Sequence, residues 1–253
     1  MSYQGQPDPA LLASVRIFYQ PIVRLYDARA DYVEVLIRTA SADGSLTGPT
    51  RLLNAMDGAE HSIRLTMAIM RRALAEYRAY GFAAHGLSIA FNLPLDALLH
   101  PELVLQIEAL RAGSGLEPKH IRFELTEEQP VHDLAAVHAV ITALREAGYG
   151  LALDDITPDM PHLAALMQMP IRAIKLDRSV VTSSTPGAHD FIRDMVSTAL
   201  IQGQDIIAEG IETPAQHEMM QANNVTHGQG FLFSHPLPAA LLRDYLAVSR
   251  IPI

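Results

Sequence analysis

The sequence predicts an α/β fold, specifically a TIM-like eight-stranded α/β barrel with an antiparallel first strand, on three observations. From residue 87 onward, apolar runs of strand length alternate with amphipathic helical segments, the pattern of βα units around a parallel sheet. Two further strand-like runs precede them, joined by a link too short for a parallel crossover. Together they make eight strands, the number that closes a barrel whose interior side chains can fill.

Residues 17–25 (IFYQPIVRL) and 32–39 (YVEVLIRT) are the opening pair, separated by a polar turn around Asp27 to Asp31. A loop with Gly44, Gly48 and Pro49 follows, then a helix over 63–80 with Ile63, Met67, Met70 and Leu74 on one face. The later strands are expected at 87–93, 121–127, 150–156, 171–177, 205–211 and 228–234. Helices are expected near 101–113, 134–147, 161–168, 190–202, 214–223 and 238–249. No linker or repeat suggests a second domain, so 17–253 is expected to form one barrel domain after an N-terminal extension, 1–16. An open doubly wound sheet is the competing fold, but no glycine-rich phosphate loop opens any helix.

Composition narrows the function. Nearly half of the 253 residues are apolar and 19% are charged, which excludes disorder. The net charge of −9 argues against sequence-independent nucleic-acid binding. With no cysteine, thiolate catalysis, disulfides and cysteine-based zinc sites are excluded. The first ten residues carry no signal-peptide pattern and no apolar run is long enough to span a bilayer, so a cytoplasmic location without membrane binding is expected.

The strand ends carry the chemistry. Glu34, Asn92, Glu124, Asp154 with Asp155, Lys175, Glu209 and Gln229 all lie within or just after an apolar strand core. Singly, each has a plain explanation: Asn92 as a turn residue, Glu124 as an exposed strand residue, Lys175 snorkelling from a sheet edge, the aspartates as a solvated turn or helix cap. Parallel barrel strands, however, bring their C-terminal ends to one face. Adjacent carboxylates there need a cation, a proton or hydrogen-bond donors. Oxygen ligands without Cys or His select Mg²⁺ or Mn²⁺, and none of the eleven histidines has zinc-protease spacing, so they are read as structural or surface residues.

By strand alternation Lys175 and Asp177 share a face. A site able to hold two metals suits in-line displacement at phosphorus, with Lys175 steering water or neutralising phosphate oxygens and Arg38 holding phosphate. A glycosidase also uses paired carboxylates. It leaves Lys175 and the double aspartate unexplained, in a chain without Trp.

These residues resemble the EAL-domain family of cyclic di-GMP phosphodiesterases from Tyr19 to Pro236. YQPI stands at 19–22, EVLIR at 34–38, FNLP at 91–94, ELTE at 124–127, the double aspartate at 154–155, KLDR at 175–178, AEGIET at 208–213 and QGFLFSHP at 229–236. The resemblance implies that Glu34, Asn92, Glu124, Asp154, Asp155 and Glu209 ligate two Mg²⁺ or Mn²⁺ ions. It makes Lys175 the helper of the attacking water and Gln229 a support. Gln20, Leu36, Arg38, Asp177 and Glu212 become contacts to cyclic di-GMP, and Glu127 the anchor of a loop shared with a homodimer partner. Linear pGpG is the implied product.

That loop departs from the family, which usually has FGTGYSSL where this chain has ITPDMPHL, at 156–163. Glycines are lost, and Pro158 and Pro161 restrict φ. This motivates an alternative reading, a cyclic di-GMP receptor with weak or no turnover. A protein-interaction domain that no longer binds nucleotide is a third reading, which leaves the carboxylates without purpose.

Overall fold

The computed structural model describes residues 13–41, 43–48, 59–126 and 133–248. Strands β1 (Val15–Arg24) and β2 (Ala30–Ala40) form an antiparallel hairpin. Its turn places Ala28 at φ 54° and returns the Ala28 N–H to Arg24 O at 2.8 Å. The strand opens at Val15 rather than Ile17, and the loop expected around Gly44 contains a two-residue strand, β3 (Leu46–Thr47), paired to the far end of β2.

The barrel continues through β4 (Ser88–Pro94), β5 (Ile121–Thr126), β6 (Gly150–Ile156), β7 (Ala173–Leu176), β8 (Asp205–Ala208) and β9 (His227–Gly228). From β2 through β9 the barrel neighbours pair in parallel. β1 closes the cylinder between β9 and β2, antiparallel to both. The eight-stranded barrel with a reversed first strand is therefore present, with β3 outside the cylinder as an added flap.

The α-helices among the described residues include α1 (Ala59–Ala79), α2 (Leu103–Ser114), α3 (Leu134–Glu146), α4 (Leu163–Met167), α5 (Arg178–Val181), α6 (Pro186–Gln202), α7 (Pro214–Ala222) and α8 (Ala239–Val248). Outward-facing strand residues such as Val33, Ile89, Phe123, Leu151 and Ile174 join helix residues such as Leu74, Ile107 and Ile141 in one buried core.

Inside the cylinder a small separate layer of Ile22, Tyr32, Ala90, Ala152, Ala173 and Ile207 is buried. Three alanines are admissible because the fully buried Tyr32 ring supplies bulk. The Arg122 guanidinium covers that ring, 4.2 Å from its centre. Two residues along their strands from this layer, alternation brings Gln20, Glu34, Asn92, Asp154 and Lys175 to the inner face nearer the C-terminal mouth, where Gln20 pairs with Glu34 and Asn92 with Glu124.

Three expected strands are shorter than their apolar runs. β7 and β8 stop at Leu176 and Ala208, and β9, His227–Gly228, shares only Gly228 with the expected 228–234 run. The apolar residues after Gly228 turn away because Gly230 lies against the backbone of Ile211, where a Cβ would fall 2.1 Å from the carbonyl oxygen. His227 pairs with Asp31 at 3.2 Å at the opposite end of the barrel, in keeping with a structural role.

Candidate active site

At the C-terminal mouth, Lys175 is 1% exposed and occupies the centre of an acidic ring. Its Nζ donates to Glu124 Oε2 at 2.9 Å. It stands 2.7 Å from Asp154 Oδ1, 2.6 Å from Glu209 Oε1 and 3.8 Å from Glu34 Oε2. Glu124 is fully buried. The snorkelling and exposed-strand explanations therefore fail for Lys175 and Glu124.

Glu34 is held by two amides. Asn92 Nδ2 donates to Oε1 at 2.8 Å and Gln229 Nε2 to Oε2 at 2.7 Å. Gln229 also reaches Gln20 Oε1 at 3.3 Å, and Gln20 donates to Ser234 O at 3.3 Å. With Nδ2 committed, Asn92 has its carbonyl oxygen left to offer a cation.

The double aspartate sits on an irregularity, the β6–β7 register slipping between Leu153 and Ile156. Asp155 takes φ 51°, a left-handed conformation that aspartate tolerates better than most residues. Asp154 points into the barrel and is buried, whereas Asp155 is exposed at the rim. Downstream, Thr157 O accepts from the Met160 N–H at 3.2 Å, and His162 adopts φ 53° at the start of α4. The unusual backbone angles of this segment thus fall on Asp155 and His162, with no glycine among residues 156–163.

The electrostatics follow from five carboxylates around one ammonium. Burial pushes Glu124 well above the usual carboxylate range, with Lys175 opposing and Glu34 and Asp154 reinforcing. Burial likewise raises Asp154. Asp155 is lifted to about 6 by partial desolvation and the Asp154 charge. Burial lifts Glu209 to about 8 against the pull of Lys175. Desolvation works to depress Lys175, but Asp154, Glu124, Glu209 and Glu34 outweigh it and hold its ammonium well above the ordinary range.

A divalent cation fits this set. Oxygens of Asp154, Asp155 and Glu209 lie within 4.8 Å of one another. Glu124 Oε1 is buried and accepts no hydrogen bond, an unfavourable state that a cation relieves. An all-oxygen donor set is the kind Mg²⁺ and Mn²⁺ take.

The remaining residues named from sequence surround the mouth. Leu36 and Arg38 follow Glu34 on the same face of β2, both half-buried, with Arg38 Nη1 bonded to Ile37 O at 2.8 Å. Asp177 does not share a strand face with Lys175, because β7 has ended. It caps α5, accepting from the Ser179 N–H at 2.8 Å. Glu212 pairs with Arg178 at 2.9 Å, a contact that sequence reasoning missed although Arg178 stands in the KLDR run. Glu127 lies outside the described residues.

A barrel with a metal-fitting acidic ring at the C-terminal mouth is the class that fold and site define. The sequence model of the EAL domain matches residues 10–236, and the chain belongs to that family. It is 29% identical over 239 residues to the cyclic di-GMP phosphodiesterase NbdA of Pseudomonas aeruginosa, covering 93% of this chain and 30% of that protein. The chain thus spans less than a third of NbdA's length.

Among solved structures, the EAL enzyme Bd1971 in its cAMP- and cyclic-di-GMP-bound form superposes with a TM-score of 0.84 at 26% identity, over 92% of this chain and 65% of that one. A manganese and cyclic-di-GMP complex of Klebsiella pneumoniae BlrP1 gives 0.77 at 25% identity, over 94% and 58%. Among the described residues no helix is long and apolar enough to cross a membrane.

Proposed function

We propose that this domain is a metal-dependent phosphodiesterase that hydrolyses cyclic di-GMP to linear pGpG, acting as a homodimer in the cytoplasm. The observation that carries the reading is the ring of Glu34, Glu124, Asp154 and Glu209 around the buried Lys175. The names of NbdA and of the BlrP1 complex support the substrate class and a divalent cofactor.

Glu34, Asn92, Glu124, Asp154, Asp155 and Glu209 would hold two Mg²⁺ or Mn²⁺ ions. The ions would supply Lewis acidity and lower the pKa of the attacking water. In the hydrolysis, the water gives up a proton to solvent as its oxygen bonds to phosphorus, the P–O3′ bond breaks, and the leaving 3′ oxygen takes up a proton from solvent. Lys175 stays cationic and steadies the water and the equatorial oxygens. Gln229 and Asn92 keep Glu34 in one orientation. Gln20, Leu36, Arg38, Asp177 and Glu212 border the mouth as substrate contacts. The receptor reading rests on the 156–163 loop alone, and no feature of the ring favours it.

Incubation of the purified protein with cyclic di-GMP and Mg²⁺ or Mn²⁺ is expected to yield pGpG, followed by chromatography. No product above that of Glu34→Ala would overturn the proposal. Light scattering on the eluting protein tests the dimer.

A further inference from the structure

Glu209 lies just past β8, and the chain then turns through Gly210 at φ 69°. Neighbours clamp this turn from two sides. Toward β9, the Ile211 N–H donates to Gln229 O and Ile211 O accepts from the Leu232 N–H, both at 3.0 Å. Toward β7 lies Arg178, the first residue of α5. A Cβ on Gly210 would fall 2.3 Å from Arg178 Cγ, so the arginine's aliphatic stem runs directly across the glycine. Beyond it, Nη2 meets Glu212 Oε1 at 2.9 Å.

Arg178 therefore spans from the segment just after β7, where Asp177 follows the strand that carries Lys175, to the loop after β8, which carries Glu209 and Glu212. An exposed ion pair alone contributes little, because solvent screens it and ordering two side chains opposes it. Here packing over Gly210 already fixes the stem, and the Asp177 cap fixes the start of α5. Less freedom is left to lose when the guanidinium meets Glu212.

We infer that Arg178 is a positioning residue, a strap that fixes the 209–213 segment and holds the Glu212 carboxylate at the rim. The strap is a property of the fold, and only its kinetic consequence rests on the proposed phosphodiesterase reading. Loss of the guanidinium frees Glu212, whereas Glu209 stays held by Lys175 at 2.6 Å and by its N–H on Leu176 O at 3.1 Å, so capture of substrate weakens more than turnover.

The experiment compares wild type, Arg178→Met, Arg178→Lys, Glu212→Gln and the double variant Arg178→Met/Glu212→Gln. Amide exchange is read over 209–213 without nucleotide, and kinetics are read with cyclic di-GMP and Mn²⁺. Arg178→Met is expected to exchange about threefold faster over 209–213 with the rest of the barrel unchanged. Its KM is expected to rise about three- to tenfold with kcat within about twofold. Arg178→Lys, which keeps stem and charge, recovers most of both, and the double variant is no worse than Glu212→Gln alone.

Unchanged exchange over 209–213 overturns the strap, as does loss of protection spread over the whole barrel or multiplicative effects in the double variant. Should wild type fail to hydrolyse cyclic di-GMP, the phosphodiesterase reading falls, while faster local exchange in Arg178→Met still upholds the strap.

Discussion

At the scale of single residues, protons and metal ions compete for the same oxygens. Asp155 stands at about 6 against an ordinary 3.8, and Glu209 at about 8 against 4.5. Both are raised in the folded state. The stability they contribute to metal-free protein is therefore complete below the ordinary values and is lost as pH rises through about 6 to 8. Glu124 and Asp154 shift the same way. Lys175, also raised, keeps its contribution until above its ordinary value of 10.5.

Metal binding requires the deprotonated carboxylates, so Mn²⁺ affinity is expected to rise over the window in which metal-free stability falls. Thermal melts from about pH 5 to about pH 8.5, in chelator and in Mn²⁺, check both trends; a Mn²⁺ gain independent of pH would contradict them. Lys175→Met removes the ammonium that compensates the ring. It is expected to cost metal-free protein about 3 kcal/mol in urea melts, a loss largely offset by saturating Mn²⁺, with activity abolished.

At the scale of elements, the loop after β8 is defined by the helix it feeds. Thr213 caps α7 through a reciprocal box: its hydroxyl accepts from the Gln216 N–H at 3.3 Å, and Gln216 Oε1 accepts from the Thr213 N–H at 3.0 Å and the Glu212 N–H at 2.8 Å. Thr213→Ala is expected to cost about 1 kcal/mol in chemical denaturation, and an unchanged midpoint would show the cap to be redundant.

This box was written in the sequence as Thr-Pro-Ala-Gln, and the helices near it fall where periodicity places them. Strand ends were less legible. Alternation carried Asp177 onto the face of Lys175, but a side chain that can cap a helix ends the strand instead. The left-handed angle at Asp155 leaves no mark in a pair of aspartates, and the Arg178 contact depends on Gly210, distant in sequence and adjacent only once β7 and β8 pair.

At the scale of the whole molecule, the eight-strand count and the reversed first strand could be read because so short a link between the first two apolar runs, 17–25 and 32–39, permits only a hairpin. Convergence of the acidic residues then followed from the fold. The thinness of the closing seam could not be read, since apolar residues continue past Gly228 whether or not the strand does. β9 contributes two residues, paired to β1 at Val23 and Arg24 and to β8 at Ile207 and Ala208.

So short a seam depends on side-chain packing as much as on ladder hydrogen bonds. A Cβ on Gly228 would meet Leu25 Cδ2 at 2.6 Å, Ile211 Cδ1 at 2.8 Å and Phe233 Cε2 at 3.2 Å. The backbone there is not in the left-handed region, so the cost of Gly228→Ala is overpacking, about 1–3 kcal/mol. Because Gln229 is the next residue and holds Glu34 at 2.7 Å, the same displacement misaligns a carboxylate of the ring. Gly228→Ala is expected to lower the thermal midpoint and to weaken Mn²⁺ binding by calorimetry, even at temperatures where the variant is fully folded. If stability fell while metal affinity held, closure of the barrel and alignment of the ring would be independent, and Gln229 would not couple them.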